Sequence, residues 1–255
     1  MDHCGGTQYS ADNTSWIKFR AGLDACAARG GRRITLSVES CTAAQNCGWV
    51  AALADLWRCS GDIQATWRSV LSNLDAANAN AAVAVPGHYN DADLLVCGLP
   101  GVSLAECQSQ LGAWAVVASP LLLSLDLTAP QPAPLLALLL NAEVLGVSQD
   151  ASRVQGVRVS AANASGTECW AKPLAPSAPG GGGGAPAAAL AVLLLNRGDA
   201  PADAACSWAE LGLAPGARAA VRDLWAHQAL PDAVGSVAAA GIEPHASRLL
   251  RLTLA

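Results

Sequence analysis

Along the first 150 residues, short apolar runs alternate with segments whose apolar positions recur at helical spacing. "RITLSVE" (33–39) is β-branched and apolar, and predicts a strand. In "WVAALADLWR" (49–58), Trp49, Leu53, Leu56 and Trp57 follow the helical period and predict a helix. "IQATWRSVLSNLDAAN" predicts a second helix, with Asp62 just ahead of it in the N-cap position. "AAVAVPGHYNDADLLVC" predicts a buried strand that opens into a polar loop. Ser103, with Glu106 three residues on, forms a capping box for a helix over "SLAECQSQLGAWAVVAS". "LLLSLDL" predicts another buried strand, and "APLLALLLNAEVL" another helix.

Strands alternating with helices imply parallel pairing through right-handed crossovers. Acids and amides collect where the strands run out, at Glu39, Asp62, Asn90, Asp91, Asp93 and Asp126. In a (β/α) barrel that carboxyl end is where an active site assembles. Beyond residue 152 the texture changes to short strand-like pieces separated by Gly, Pro and Asn turns, an antiparallel β module. The expected division is therefore an α/β unit over 1–152 and an all-β unit over 153–255. A Gly/Pro/Ala-rich loop at about 174–188 interrupts the second unit. Its five glycines lack the Lys-Ser/Thr of a phosphate loop, and no strand-to-helix context surrounds them.

Composition narrows the function classes. The chain is 52% hydrophobic and only 14% charged, with a net charge of −5. No run of Lys or Arg exceeds two residues, which argues against nucleic acid or an anionic membrane surface as partner. The longest apolar stretch is broken by Asp126 and four prolines, so no clean membrane span of about 20 residues exists. No signal peptide stands at Met1. None of the nine cysteines falls in a zinc-ligand spacing, so no metal is expected. "NTS" at Asn13 and "NAS" at Asn163 fit the N-glycosylation pattern.

Four ordered blocks, "WRCSGDIQATW", "GHYNDADLLVCG", "AWAVVASPLLLSLDL" and "VLGVSQD", resemble those of the α-galactosidases of glycoside hydrolase family 27. "LLNRGD", "SWAELGL" and "VRDLWAH" are similar to that family's carboxyl-terminal β-sandwich. The resemblance implies a (β/α)8 TIM barrel followed by the sandwich. A whole barrel takes about 250 residues, so the chain is expected to hold a partial barrel, about strands 4–8, with the first half missing. Half a parallel barrel leaves open edges and an uncovered apolar interior.

The resemblance also implies roles for particular residues. Asp2, in "MDHC", falls on the family's nucleophile, and Cys4 on a disulfide-bonded position. Asp62 falls on the acid/base, Arg58 on an arginine that bonds the sugar near the nucleophile, and Asp93 on an acid at the substrate pocket. Asp91 is expected to fix the loop. Glu39 aligns with the residue facing the sugar's 2-substituent, where Glu accompanies a hydroxyl and so favours galactose over N-acetylgalactosamine. The expected activity is retaining hydrolysis of terminal α-linked galactose by double displacement, without cofactor or metal, and impaired in this chain. The alternative is a non-enzymatic carbohydrate-binding or interaction protein derived from such a hydrolase.

One family bridge is lost, since Val38 and Ala54 occupy both of its positions. Cys41 and Cys47 flank a short loop, and Cys169 and Cys206 both fall in the sandwich, but spacing fixes neither pairing. The expected partners are a carbohydrate substrate, no nucleic acid and no membrane, with a homodimer as the candidate assembly. The family is secreted, vacuolar or lysosomal.

Overall fold

Three short strands, β1 (Ser37–Val38), β2 (Leu56–Arg58) and β3 (Tyr89–Asp91), pair in parallel in that order in the computed structural model. It describes residues 14–39, 48–177 and 187–254. A fourth parallel contact is the single bridge between Leu95 and Leu123. Helix α1 (Thr14–Ala28) precedes β1, and α2 (Trp67–Ala79) lies between β2 and β3. This succession of parallel strands and helices is a segment of a (β/α) barrel.

Several local expectations give way to tertiary structure. Residues 49–58 are not a helix: a 3-10 turn spans Val50–Ala52, and Leu56–Arg58 is the central strand. Two strand neighbours and a completely buried Trp57 outweigh the helical spacing of four side chains. Asp62 is not a helix cap, because α2 is capped by Thr66, whose hydroxyl accepts from the Ser69 amide. In "AAVAVPGHYNDADLLVC" the strand is Tyr89–Asp91, while Ala81–Val83 is a 3-10 turn. "RITLSVE" contributes only Ser37–Val38 to the sheet. "LLLSLDL" makes one bridge and leaves Leu122 and Leu127 exposed, since Asp126 and Thr128 close a turn there. "APLLALLLNAEVL" divides into α4 (Ala133–Leu139) and α5 (Ala142–Ser148), because Asn141 breaks the run and caps α5.

The capping box holds. Ser103 accepts from the Glu106 amide, Glu106 accepts from the Ser103 amide, and α3 (Leu104–Val116) begins there. Ten of its thirteen residues are buried, because it is covered on both sides.

The carboxyl-terminal part is an antiparallel sandwich. Strands β4 (Val157–Ser160), β5 (Thr167–Ser177), β6 (Ala187–Asn196), β8 (Arg218–Asp223), β9 (Gln228–Val234) and β11 (Ser247–Leu254) form a six-stranded sheet, ordered β4-β5-β6-β11-β8-β9. β7 (Ala202–Ser207) and β10 (Ser236–Ile242) form the second sheet. The Gly-rich loop is shorter than expected, since β5 runs to Ser177; its remainder, 178–186, lies outside the described residues.

Successive strand side chains point to opposite faces, and β6 exploits this fully. Ala189, Ala191, Leu193 and Leu195 join the core that contains α3, whereas Val192 and Leu194 join the core between the sheets. Burial of apolar area at about 25 cal/mol per Å² makes this shared core the main tie between barrel segment and sandwich. The disulfide Cys169–Cys206 joins the two sheets. A second, Cys97–Cys107, ties the segment after β3 to α3. Its ten-residue spacing carries no sequence signal, while Cys41 and Cys47 lie outside the described residues.

Polar groups complete the seam. Arg197 donates to Asp75 of α2 at 2.6 and 2.9 Å and to the fully buried Glu168 at 3.1 Å. Completely buried Lys172 donates to the carbonyls of Val147 (2.7 Å) and Ala115 (3.2 Å), at the carboxyl ends of α5 and α3. Cations are favoured at helix carboxyl ends. Burial pushes the Lys172 ammonium down from 10.5 to about 8, against the opposing pull of Asp150.

Two predictions follow from the seam. At Gly156 a Cβ would lie 2.7 Å from the Val116 carbonyl oxygen and 2.8 Å from that of Ala171. Gly156→Ala therefore destabilises the protein by about 1–3 kcal/mol, seen as a lower urea midpoint by tryptophan fluorescence. Between pH 8 and 10.5 the unfolded chain keeps a proton that folded Lys172 has released, so stability from this group rises with pH. The midpoint difference between wild type and Lys172→Met moves in favour of wild type across that window. A flat difference contradicts the depressed ammonium.

Candidate active site

The three parallel strands deliver their carboxyl ends to one pocket of ≈ 400 Å³, lined by Ser37, Glu39, Arg58, Asp62, Asp91, Asp93 and Leu94. Four residues expected from sequence to act together, Glu39, Arg58, Asp62 and Asp93, thus share one cavity. Asp2 lies outside the described residues. Ser37 and Leu94 were not anticipated. Ser37 stands two residues before Glu39, so strand alternation puts both on one face, and that period was the available signal.

Arg58 ends β2 directly across from Asp91 of β3. Its guanidinium donates to Asp62 Oδ1 at 3.1 Å and forms an ion pair with Asp93 Oδ2 at 2.6 Å. Its Nε is buried and makes no hydrogen bond among the described residues. Charge-assisted contacts of this kind are short and directional.

Asp93 is held from every side. Its φ of +78° is a left-handed conformation, uncommon outside glycine. Four bonds fix it there. Its N–H donates to Asp91 Oδ1 (2.9 Å), and its carbonyl accepts from the Trp114 indole of α3 (2.7 Å). Its Oδ1 accepts from the Leu94 amide and its Oδ2 from the Ile63 amide, each at 2.8 Å. The last bond anchors the loop that carries Asp62. Asp93 therefore orients Arg58 and Asp62 together, while the Asp62 side chain, 83% exposed, faces solvent and any ligand.

Burial pushes the Asp91 carboxyl up, and the charge of Asp93 adds to that, against the Asp93 amide bond and Arg58. Cys59, next to Arg58, is completely buried, and its thiol donates to the Asp91 carbonyl at 3.4 Å. Burial, with the nearby Asp91, pushes this thiol up to about 12, so Cys59 is no nucleophile at neutral pH.

Four carboxyl side chains thus share the pocket with one guanidinium, an electrostatic setting suited to a neutral, hydroxyl-rich ligand or to developing positive charge, and hostile to anions. Among the described residues, no group of three or more His, Cys, Asp or Glu side chains is arranged to hold a metal ion. No described helix is long and apolar enough to cross a membrane.

Residues 3–150 match the family profile described as Alpha galactosidase A, and residues 164–252 match the alpha galactosidase C-terminal beta sandwich domain. Alpha-galactosidase 2 of Arabidopsis thaliana is 35% identical over 205 residues, covering 80% of this chain and 48% of the relative. The alpha-galactosidase of Coffea arabica is 32% identical over 252 residues, covering 99% of this chain and 61% of the relative. The chain spans about half the length of the curated relatives it matches. The solved α-galactosidase of Saccharomyces cerevisiae superposes with a TM-score of 0.82 at 17% identity, covering 100% of this chain and 71% of the other. At that identity the likeness speaks for fold alone.

The environment of Cys59 gives a direct test of how tightly the pocket floor is packed. Iodoacetamide added to the native protein modifies exposed Cys26 and spares Cys59, whereas both react in urea. Peptide mapping by mass spectrometry separates the two, and native labelling of Cys59 at the Cys26 rate contradicts the closed packing.

Proposed function

This chain belongs to the α-galactosidases of glycoside hydrolase family 27, and we propose that its pocket is built for retaining hydrolysis of terminal α-linked galactose. The observation that carries the proposal is the convergence of Glu39, Arg58, Asp62 and Asp93 on one cavity at the strand ends. Retaining glycosidases use two carboxyl groups roughly 5–5.5 Å apart across an oxocarbenium-like transition state. In this reading Asp2 attacks the anomeric carbon. Asp62 protonates the departing glycosidic oxygen and then takes a proton from the incoming water.

Arg58, fixed by Asp93, supplies hydrogen bonds to the sugar, and Glu39 receives its 2-hydroxyl. The carboxylate-rich wall favours the positive charge that develops on the ring. No cofactor or metal enters the scheme. The two disulfides among the described residues support an oxidising compartment, and thus a secretory, vacuolar or lysosomal route. The division into a catalytic unit over 1–152 and a sandwich over 153–255 belongs to the same proposal.

The test is turnover of p-nitrophenyl α-galactoside by the 255-residue chain. Asp62→Asn lowers kcat by about 10²–10⁴-fold, the usual worth of a general acid/base. Turnover that survives Asp62→Asn overturns the mechanism. Galactose binding without turnover in the wild type selects the carbohydrate-binding alternative. Glu39→Ala weakens galactose and improves N-acetylgalactosamine as competing ligand, and an unchanged preference removes Glu39 from the specificity role.

A further inference from the structure

The hairpin turn between β4 and β5 contains Asn163-Ala164-Ser165, and residues 161–165 are all exposed. We propose that Asn163 is an N-glycosylation site that accepts an oligosaccharide on Nδ2, and that the folded hairpin is already shaped to carry it.

The geometry supports this atom by atom. Asn163 Oδ1 accepts from the amides of Ser165 (2.9 Å) and Thr167 (3.1 Å), so the side-chain amide plane is fixed. One Nδ2 hydrogen is donated to Thr167 Oγ1 at 2.7 Å. An N-linked sugar replaces one of the two Nδ2 hydrogens, so the link to Thr167 and the sugar coexist. Thr167 is buried, and its hydroxyl donates onward to the Asp203 carbonyl at 3.1 Å, which leaves its oxygen to accept from Nδ2.

The turn itself is rigid. Gly166 has a φ of +78°, donates to the Asn163 carbonyl at 2.9 Å and accepts from the Arg197 amide at 3.0 Å. Beside Ser165 lies a shallow depression of ≈ 510 Å³ lined by Ala200, Pro201, Ala202 and Asp203, which offers a seat for the innermost sugar. The Cys169–Cys206 disulfide, two residues beyond Thr167, independently points to the oxidising compartment in which glycan transfer occurs.

The reaction balances without any redox partner. The co-reactant is an oligosaccharide joined to a polyprenyl lipid through pyrophosphate, delivered by a membrane transferase. Nδ2 forms a bond to C1 of the terminal N-acetylglucosamine while the C1–O bond to the pyrophosphate breaks. The lipid pyrophosphate leaves with the bonding electrons, and the Nδ2 proton passes to the transferase base.

This assignment is independent of the catalytic proposal, and its test does not read activity. The full chain is expressed behind a cleavable secretory leader in a glycosylating yeast, then deglycosylated with peptide N-glycosidase in heavy-oxygen water. The Asn163 peptide is expected to be recovered as aspartate bearing heavy oxygen. Ser165→Ala abolishes that label. Because Ser165 meets Asn163 through its backbone amide, this variant keeps the turn and is secreted like wild type. Asn13→Gln, which removes the other such triplet, leaves the label in place. Recovery of unmodified Asn163 from secreted wild-type protein overturns the assignment, as does heavy-oxygen label that persists in Ser165→Ala.

Discussion

The structure depends on the burial of α3 between the parallel strands and the six-stranded sheet. A helix with ten buried residues of thirteen cannot stand on a surface, so the sandwich supplies the second wall of its core. Gly112 shows how closely the two approach, since a Cβ there would come within 3.2 Å of Leu193 and 3.1 Å of Trp225. The sandwich is thus part of what keeps the barrel segment folded. The same helix reaches the pocket, because Trp114 donates to the carbonyl of Asp93. Packing of the sheet and orientation of the pocket acids are linked through one side chain.

The pocket divides its acids by task. Asp93 has both carboxylate oxygens bonded to backbone amides as well as to Arg58, so its role is to hold its neighbours. Asp62 is bonded to Arg58 alone among these and stays open to solvent. Arg58 lies between them, with its charge spread over both. A strained backbone at Asp93 is maintained because four separate bonds over-determine it.

Much of this was legible in the sequence, and the exceptions have physical causes. The Ser103/Glu106 box marked the start of α3 because capping is a local interaction between residues three apart. The β texture after residue 152 was legible because turn residues punctuate it. β2 was not: three residues are too few to show alternation, and its pairing partners lie about 20 and 30 residues away. Trp57 fits a helix by spacing and a buried strand by size, and only the fold decides. Asp62 stood in the N-cap position by sequence, but the cap is Thr66, whose hydroxyl accepts from the Ser69 amide. Arg58, Asp62 and Asp93 were found through ordered family blocks and Glu39 through its alignment with the same family, not through periodicity, since chemistry at strand ends leaves no hydrophobic pattern. Cys97 and Cys107 were unreadable as a pair because a loop and a helix bring them together.

The two-faced character of β6 has a further consequence, for how the sheet finds its alignment. In most sheets an alternating apolar and polar pattern makes a one-residue slip expensive, since it drives polar groups inward. β6 reads AAALAVLLLN, apolar on both sides, so a slip exchanges one greasy face for another. The strand's correct alignment must come from its details. At its end, buried Asn196 donates to the carbonyls of Ala200 and Ile242 at 2.8 Å and accepts from the Gly198 amide at 2.9 Å. Midway, Ala191 stands opposite Lys172, where a slip would press Leu190 or Val192 against the buried ammonium. One amide and one lysine therefore act as the vernier for a strand that is apolar on both faces.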